Sequence, residues 1–251
     1  MTAELSARLC SALALAWLCA APSLAAELTA EQVRALTAGA RSEGIDLSNK
    51  DLSGLDLARI DLRKANLTGA NLKRANLAGA DLSGAILDLA ILRGADLRGA
   101  VLREVAAFAT ILAEADLSGA DLTGAKLVCN LENAKLERAN LSGAAMGADM
   151  RNQSMGLMRL SLKNANLTDA NLERADLSRA MLEFAVFVRA NLVGANLAMA
   201  QAGGADFSGA DLTGADFTGV DLQSARFSGA KGVDRIVGLE SALNRSSARF
   251  D

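Results

Sequence analysis

Residues 65–84 read ANLTGANLKRANLAGADLSG. A triplet of Ala, then Asn or Asp, then Leu returns every five residues, at Ala65-Asn66-Leu67, Ala70-Asn71-Leu72, Ala75-Asn76-Leu77 and Ala80-Asp81-Leu82. A straight helix cannot use a period of five, because its leucines would sweep around every face. In an extended segment, Ala and Leu two apart point the same way, and the Asp or Asn between them points to water. The remaining two positions are Ser, Thr, Arg or Glu and then often Gly, which is turn chemistry. Each unit is therefore a short strand plus a corner. If successive corners turn in one direction the chain closes into a coil, with Leu filling a narrow interior beside Ala. Coils stacked about 4.8 Å apart through backbone ladders would satisfy the polar backbone of a chain that turns this often.

The triplet recurs at Ala115-Asp116-Leu117, Ala165-Asn166-Leu167, Ala190-Asn191-Leu192 and Ala210-Asp211-Leu212, and Phe replaces Leu at 207, 217 and 227. This tandem A(D/N)LXX pattern resembles the pentapeptide-repeat proteins. The resemblance implies an all-β solenoid, a right-handed quadrilateral β-helix with four pentapeptides per coil, over residues 45–232. Nine or ten coils would make a rod about 45 Å long. Solenoids need capped ends. Within residues 27–44, Thr29 with Gln32 is a capping-box pattern opening a helix Thr29–Thr37, with Val33 and Leu36 on an apolar stripe. Bulky Ile45, Leu55 and Ile60 at inward positions suit a coil that meets this lid. Residues 233–251 read as a C-terminal capping helix, Asp234–Leu243, with Ile236, Leu239 and Leu243 on one side. Ala248-Arg249-Phe250 then returns as a strand matching Ala225-Arg226-Phe227.

Residues 1–26 have a different character. Arg8 precedes an apolar run from Leu9 to Ala20, Pro22 breaks it, and Ser23-Leu24-Ala25-Ala26 offers small residues to a peptidase. This is the layout of a secretory signal cut near Ala25 or Ala26, predicting a periplasmic or secreted protein. The run is too short for a stable membrane anchor. Cleavage would remove Cys10, Cys19 and Trp17 and leave Cys129 as the one thiol, which suits an oxidising compartment.

The repeat is irregular over 128–164. The frame slips by one to give Cys129-Asn130-Leu131, placing Cys129 inward as an inert buried thiol. It slips again to give Ala148-Asp149-Met150, and is restored by Ala165-Asn166-Leu167. Met146, Met150, Met155 and Met158 cluster here. Thioethers are soft enough for copper(I), but Met filling a distorted core is the commoner arrangement, and no cofactor is expected. Apolar residues also stand at outward positions. Leu89, Phe108 and Val128 would cluster on one face, with Ile91 and Ile111 on the next, joined by Ile86 and Val101. A loop bulging near Ala106–Ala109 would instead cover them. Met181, Phe184, Val186, Val188 and Val193 repeat the effect. A contiguous exposed apolar patch implies a partner.

No His is present, the formal charge is −3 and the pI about 5.2. Composition thus removes imidazole chemistry and gives no broad basic surface for nucleic acid. The aspartates follow the repeat around different faces, the Gly-rich corners lack a phosphate-binding context, and a filled rod leaves no substrate pocket. The expectation is a non-catalytic exported scaffold binding an unidentified protein, with a homodimer through the C-terminal end (Ile236, Leu239, Leu243) as a further possibility. The resemblance also implies an alternative. Some cytoplasmic members mimic duplex DNA and bind type II topoisomerases, but here Arg63, Lys64, Lys73, Arg74, Arg93 and Arg98 interrupt the acidic faces.

Overall fold

The computed structural model describes residues 28–39, 44–148 and 158–250. Residues 1–26, expected to be a secretory signal, and Met150 and Met155 lie outside them.

The wall is built from four parallel ladders, one per face. Face one runs through Asp46, Asn66, Ile86, Ala106, Lys126, Ala145, Asp176, Asn196, Asp216 and Val237. Face two begins at Asp51, face three at Asp56 and face four at Asp61, each pairing with the residue twenty further on. Ala and Leu (or Phe) point inward and are buried through the whole stack. The result is a right-handed quadrilateral β-helix whose interior is one continuous apolar core.

The repeat follows from its amide groups. In the unit Ile45–Asn49, Leu47 N donates to Asn66 O (2.8 Å) and Asn49 N to Thr68 O (2.9 Å), both on the next coil. Asn66 N donates back to Ile45 O (2.8 Å), and Lys50 N closes the corner onto Leu47 O (3.3 Å). The amide just after Leu has no backbone partner, and the Asp or Asn side chain takes it: Ser48 N donates to Asp46 Oδ1 at 2.9 Å. The polar residue thus serves as an Asx cap at most corners, because a buried or crowded N–H without an acceptor is costly. The last corner residue has φ near +60°, as at Gly54 (+66°) and Arg59 (+56°), which a type II turn demands. None of the non-glycine residues in this conformation is β-branched, as expected where branching would clash.

Helix α1 (Ala30–Gly39) covers the first coil. Its capping box is formed as the sequence predicts, with Thr29 N donating to Gln32 Oε1 (2.8 Å) and Gln32 N to Thr29 Oγ1 (3.2 Å). Val33 is buried against the core, and Arg34 donates to the carbonyls of Asp56 and Ala58. Leu36, expected on the same stripe, is instead largely exposed.

Two strands are long enough to be continuous, β1 (Ala106–Ile111) and β2 (Lys126–Asn130), paired in parallel. The step from Lys126 to Asn130 is one residue short, so β2 crosses the corner between faces one and two without a turn. Cys129 falls inward as expected, buried in the core. Thr110 beside it is also buried and donates to Leu87 O at 2.7 Å. The Ala106–Ala109 region is therefore wall, and no loop from it folds over the neighbouring side chains. The irregular segment is narrower than 128–164. Residues 129–146 and 160–164 keep regular wall positions, and after Ala145 the next ladder residue is Ser161. Ala148 still donates to Ser178 O of the next coil (3.3 Å), Asp149 and Met150 lie outside the described residues, and Asn130 pairs with Ser161 across thirty-one residues.

The predicted C-terminal helix does not form, and the chain does not leave the stack. The last coil continues in six-residue steps, with Asp216 paired to Val237, Asp221 to Leu243 and Arg226 to Arg249. Each corner carries a short 3-10 turn, at Val233–Arg235, Leu239–Ser241 and Arg245–Ser247, entered through Gly232, Gly238 and Asn244 at positive φ. The physical reason is the ladder itself: a six-residue corner keeps the backbone bonds to the coil below, which a separate helix would forfeit. Leu239 turns into the open end of the core and is buried, while Ile236 is half-buried and Leu243 exposed, so the three do not share one side. The returning triplet is as predicted: Phe250 stacks on Phe227 at 4.6 Å, ending a column that runs through Phe207 and Phe187 at 5.0 Å spacings.

Candidate interaction surface

The corner between faces one and two carries the apolar residues. Leu89 and Phe108 occupy successive corner positions, joined by a Leu89 N to Phe108 O bond of 2.9 Å, and Phe108 pairs with Val128 in the next coil. Ile86 flanks them on face one, and Ile91 and Ile111 are ladder partners on face two. Leu89 is 59% exposed, Phe108 48%, Ile86 41% and Ile91 38%. The structure thus brings together six of the seven residues that the sequence grouped. Val101 is separate: it lies between Asp81 and Asp121 on face four.

This patch has a local cost. Ile86, Ile91, Ala106 and Ile111 stand where an Asx cap would serve the corner amide. At Phe108 the loss is repaired from the coil before, because Asp88 Oδ1 accepts from Phe108 N at 2.9 Å. An Asx-type bond of this kind contributes about 1 kcal/mol. Replacing several with partly exposed isoleucine gives up those bonds and places apolar surface in water.

The second apolar group does not form one patch. Met181, Phe184, Val186, Val188 and Val193 are spread over successive faces and corners of one coil, and Phe184 alone is strongly exposed, at 66%. The methionines also separate. Met146 takes a Leu position inside the bore, whereas Met158 is exposed. Burial pushes the Cys129 thiol up to about 12, so it stays protonated and unreactive at neutral pH.

Several charges elsewhere are paired, within one unit or with the coil beside it. Arg63 bonds Asp61 (2.7 Å), Arg189 bonds Asp169 (2.7 Å) and Arg226 bonds Asp206 (2.9 Å). The Arg98 guanidinium holds the Asp96 carboxyl below its ordinary range, and Arg189 does the same for Asp169. Among the described residues no cluster of three or more His, Cys, Asp or Glu could hold a metal ion. None of the described helices is long and apolar enough to cross a membrane.

The family model for pentapeptide repeats matches residues 43–77, 65–104, 109–128, 161–197 and 200–231. Among solved structures, the chain is similar to HetL, a pentapeptide repeat protein involved in heterocyst differentiation regulation from the cyanobacterium Nostoc sp. strain PCC 7120. Identity is 32%, coverage 88% of this chain and 94% of HetL, and the TM-score 0.70. A looser likeness is to QnrB1, a plasmid-mediated fluoroquinolone resistance protein, at 18% identity, 78% and 90% coverage and a TM-score of 0.30. A pentapeptide repeat protein of the Arabidopsis thaliana thylakoid lumen matches at 25% identity, 73% and 72% coverage and a TM-score of 0.19. No curated protein sequence gives a significant match. From the repeat match over most of the wall and the likeness to HetL along nearly its full length, the chain belongs to the pentapeptide repeat family.

Proposed function

We propose that this protein is an exported, non-catalytic scaffold that binds a partner protein through the apolar corner between faces one and two. The observation that carries the reading is the run of outward apolar residues at this corner: Ile86, Ile91 and Ile111 where the repeat otherwise places Asx caps, with Leu89 and Phe108 on the corner between them. An exposed apolar cluster on a rigid surface favours protein contact. The continuous core of Leu, Phe and Ala among the described residues favours binding at the outer faces over catalysis inside the coil. The arginines lying on Asp61, Asp96, Asp169 and Asp206 weigh against mimicry of a nucleic acid, which needs an unbroken acidic surface. Self-association through the C-terminal end would use exposed Leu243 and Val237, with Leu239 serving as the plug of the bore.

Two measurements test this reading. Expression in a diderm bacterium, fractionation and intact mass should give a periplasmic chain beginning at Ala26 or Glu27. A full-length cytoplasmic product defeats export. The double variant Ile91→Asp, Ile111→Asp should then lose partner recovery or self-association while keeping its fold. Unchanged recovery and unchanged association state would remove the corner from the interface.

A further inference from the structure

A second surface lies on another corner, between faces two and three, and does not depend on the apolar one. There the unit Ala200-Gln201-Ala202-Gly203-Gly204 lacks the two corner side chains that its neighbours carry. In the coil before, Glu183 and Phe184 hold these positions, and in the coil after, Gln223 and Ser224. The missing side chains leave a notch of about 390 Å³. Gln201 and Asp221 of face two line its flank.

Its lining is acidic and aromatic. Phe184 projects from a left-handed corner (φ +59°) across Gly204, where an added Cβ would lie 2.6 Å from its ring. Glu183 bonds Lys163 through Oε1 at 3.1 Å, but Oε2 is shielded from solvent and accepts no hydrogen bond. It is alone in this among the side-chain oxygens and nitrogens of the described residues. Asp221 supplies a second carboxylate, whose Oδ1 accepts from Gln223 N (3.1 Å) and Asn244 Nδ2 (2.8 Å). No Lys or Arg lines the notch.

We infer that this notch is a binding site for an arginine side chain presented by a partner protein. A guanidinium is planar, so it can stack on the Phe184 ring while its forked N–H groups reach a carboxylate. A turn of the partly exposed Glu183 carboxylate toward the guanidinium would give Oε2 the donor it lacks, and a shielded acceptor without a donor is an unfavourable state that such binding relieves. An anion is disfavoured by two carboxylates, and an aromatic wall gives a metal ion too few oxygen ligands.

The experiment is an amide-shift titration of the ¹⁵N-labelled full chain with N-acetyl-arginine amide, beside its neutral isostere N-acetyl-citrulline amide. The expected result is saturable shifts of the Gly203, Gly204 and Gln223 amides with arginine and none with citrulline. Glu183→Gln should weaken binding about tenfold, as for a charge-assisted bond, and Phe184→Ala roughly threefold, as for an exposed cation–π contact. Asp221→Asn is the second acidic variant, should Glu183→Gln disturb the spectrum beyond this corner. Equal shifts with citrulline, no saturable shift, or arginine binding that is indifferent to the acidic variant and to Phe184→Ala would overturn the assignment.

Discussion

At the scale of single residues, the repeat is an amide-accounting rule written in five letters. Leu fills, Ala makes room, Asx closes the corner amide, and the fifth residue accepts positive φ. Cys129 obeys the rule as an Ala substitute inside the bore. Desolvation raises its thiol from an ordinary 9.0 to about 12. The folded chain therefore keeps a proton that the unfolded chain releases above pH 9. The stability this gives is fully present below pH 9 and is lost as pH rises toward 12. Across that window the wild type should lose about 1.4 kcal/mol per pH unit more than Cys129→Ala. Urea melts of the two proteins at pH 8 to 11 measure the difference, and parallel pH profiles would show that the thiol is not desolvated. The inward place of Cys129 was legible because the frame slip set it beside Asn130-Leu131. The Glu183–Phe184 notch was not, since it arises from what Gly203 and Gly204 lack across two other coils.

At the scale of elements, the two ends show what a sequence signal can and cannot carry. Helix α1 was legible because both halves of its capping box are local, three residues apart in sequence. The C-terminal cap was misjudged because Ile236, Leu239 and Leu243 fit a helical spacing equally well. The decisive signal was a change of period. Gly232, Gly238 and Asn244 are six apart, as are Ile236, Ala242 and Ala248, the first triad entering three successive corners of the last coil and the second preceding the ladder residues of three successive faces. Glycine is essential at Gly238, whose φ is +70° and whose added Cβ would lie 2.9 Å from Thr218 Cα. Gly238→Ala should destabilise the protein by about 2 kcal/mol, combining left-handed strain with a clash against backbone. The loss should concentrate in the last coil, where amide exchange of residues 237–250 would quicken first. Exchange that quickens evenly along the rod would mean that the cap and the body unfold as one unit.

At the scale of the molecule, each coil touches only the coils beside it, so length can change without changing the rule. The departure at 147–159 tests this. Ladder partners across it are thirty-one residues apart, Asn130 to Ser161 and Ala145 to Asp176, against twenty in the regular coils, an excess of eleven. Reading triplets one at a time hid this, because Ala148-Asp149-Met150 fits the pattern although the next ladder residue after Ala145 is Ser161. Only the pairing of distant coils reveals the register. Deleting residues 148–158 removes the excess and leaves the unit Ala144-Ala145-Met146-Gly147-Arg159 before Leu160. Arg159 would then take the left-handed corner that Arg59, Arg74, Arg138, Arg174, Arg179 and Arg189 already occupy. The shortened chain should fold with unchanged β-signature in circular dichroism and with stability within about 1 kcal/mol, because the deletion removes no ladder residue and closure entropy changes only slowly with the length of a connection. If its urea melt instead splits into two transitions, the coils on either side are held in register by residues 148–158 rather than by the ladders.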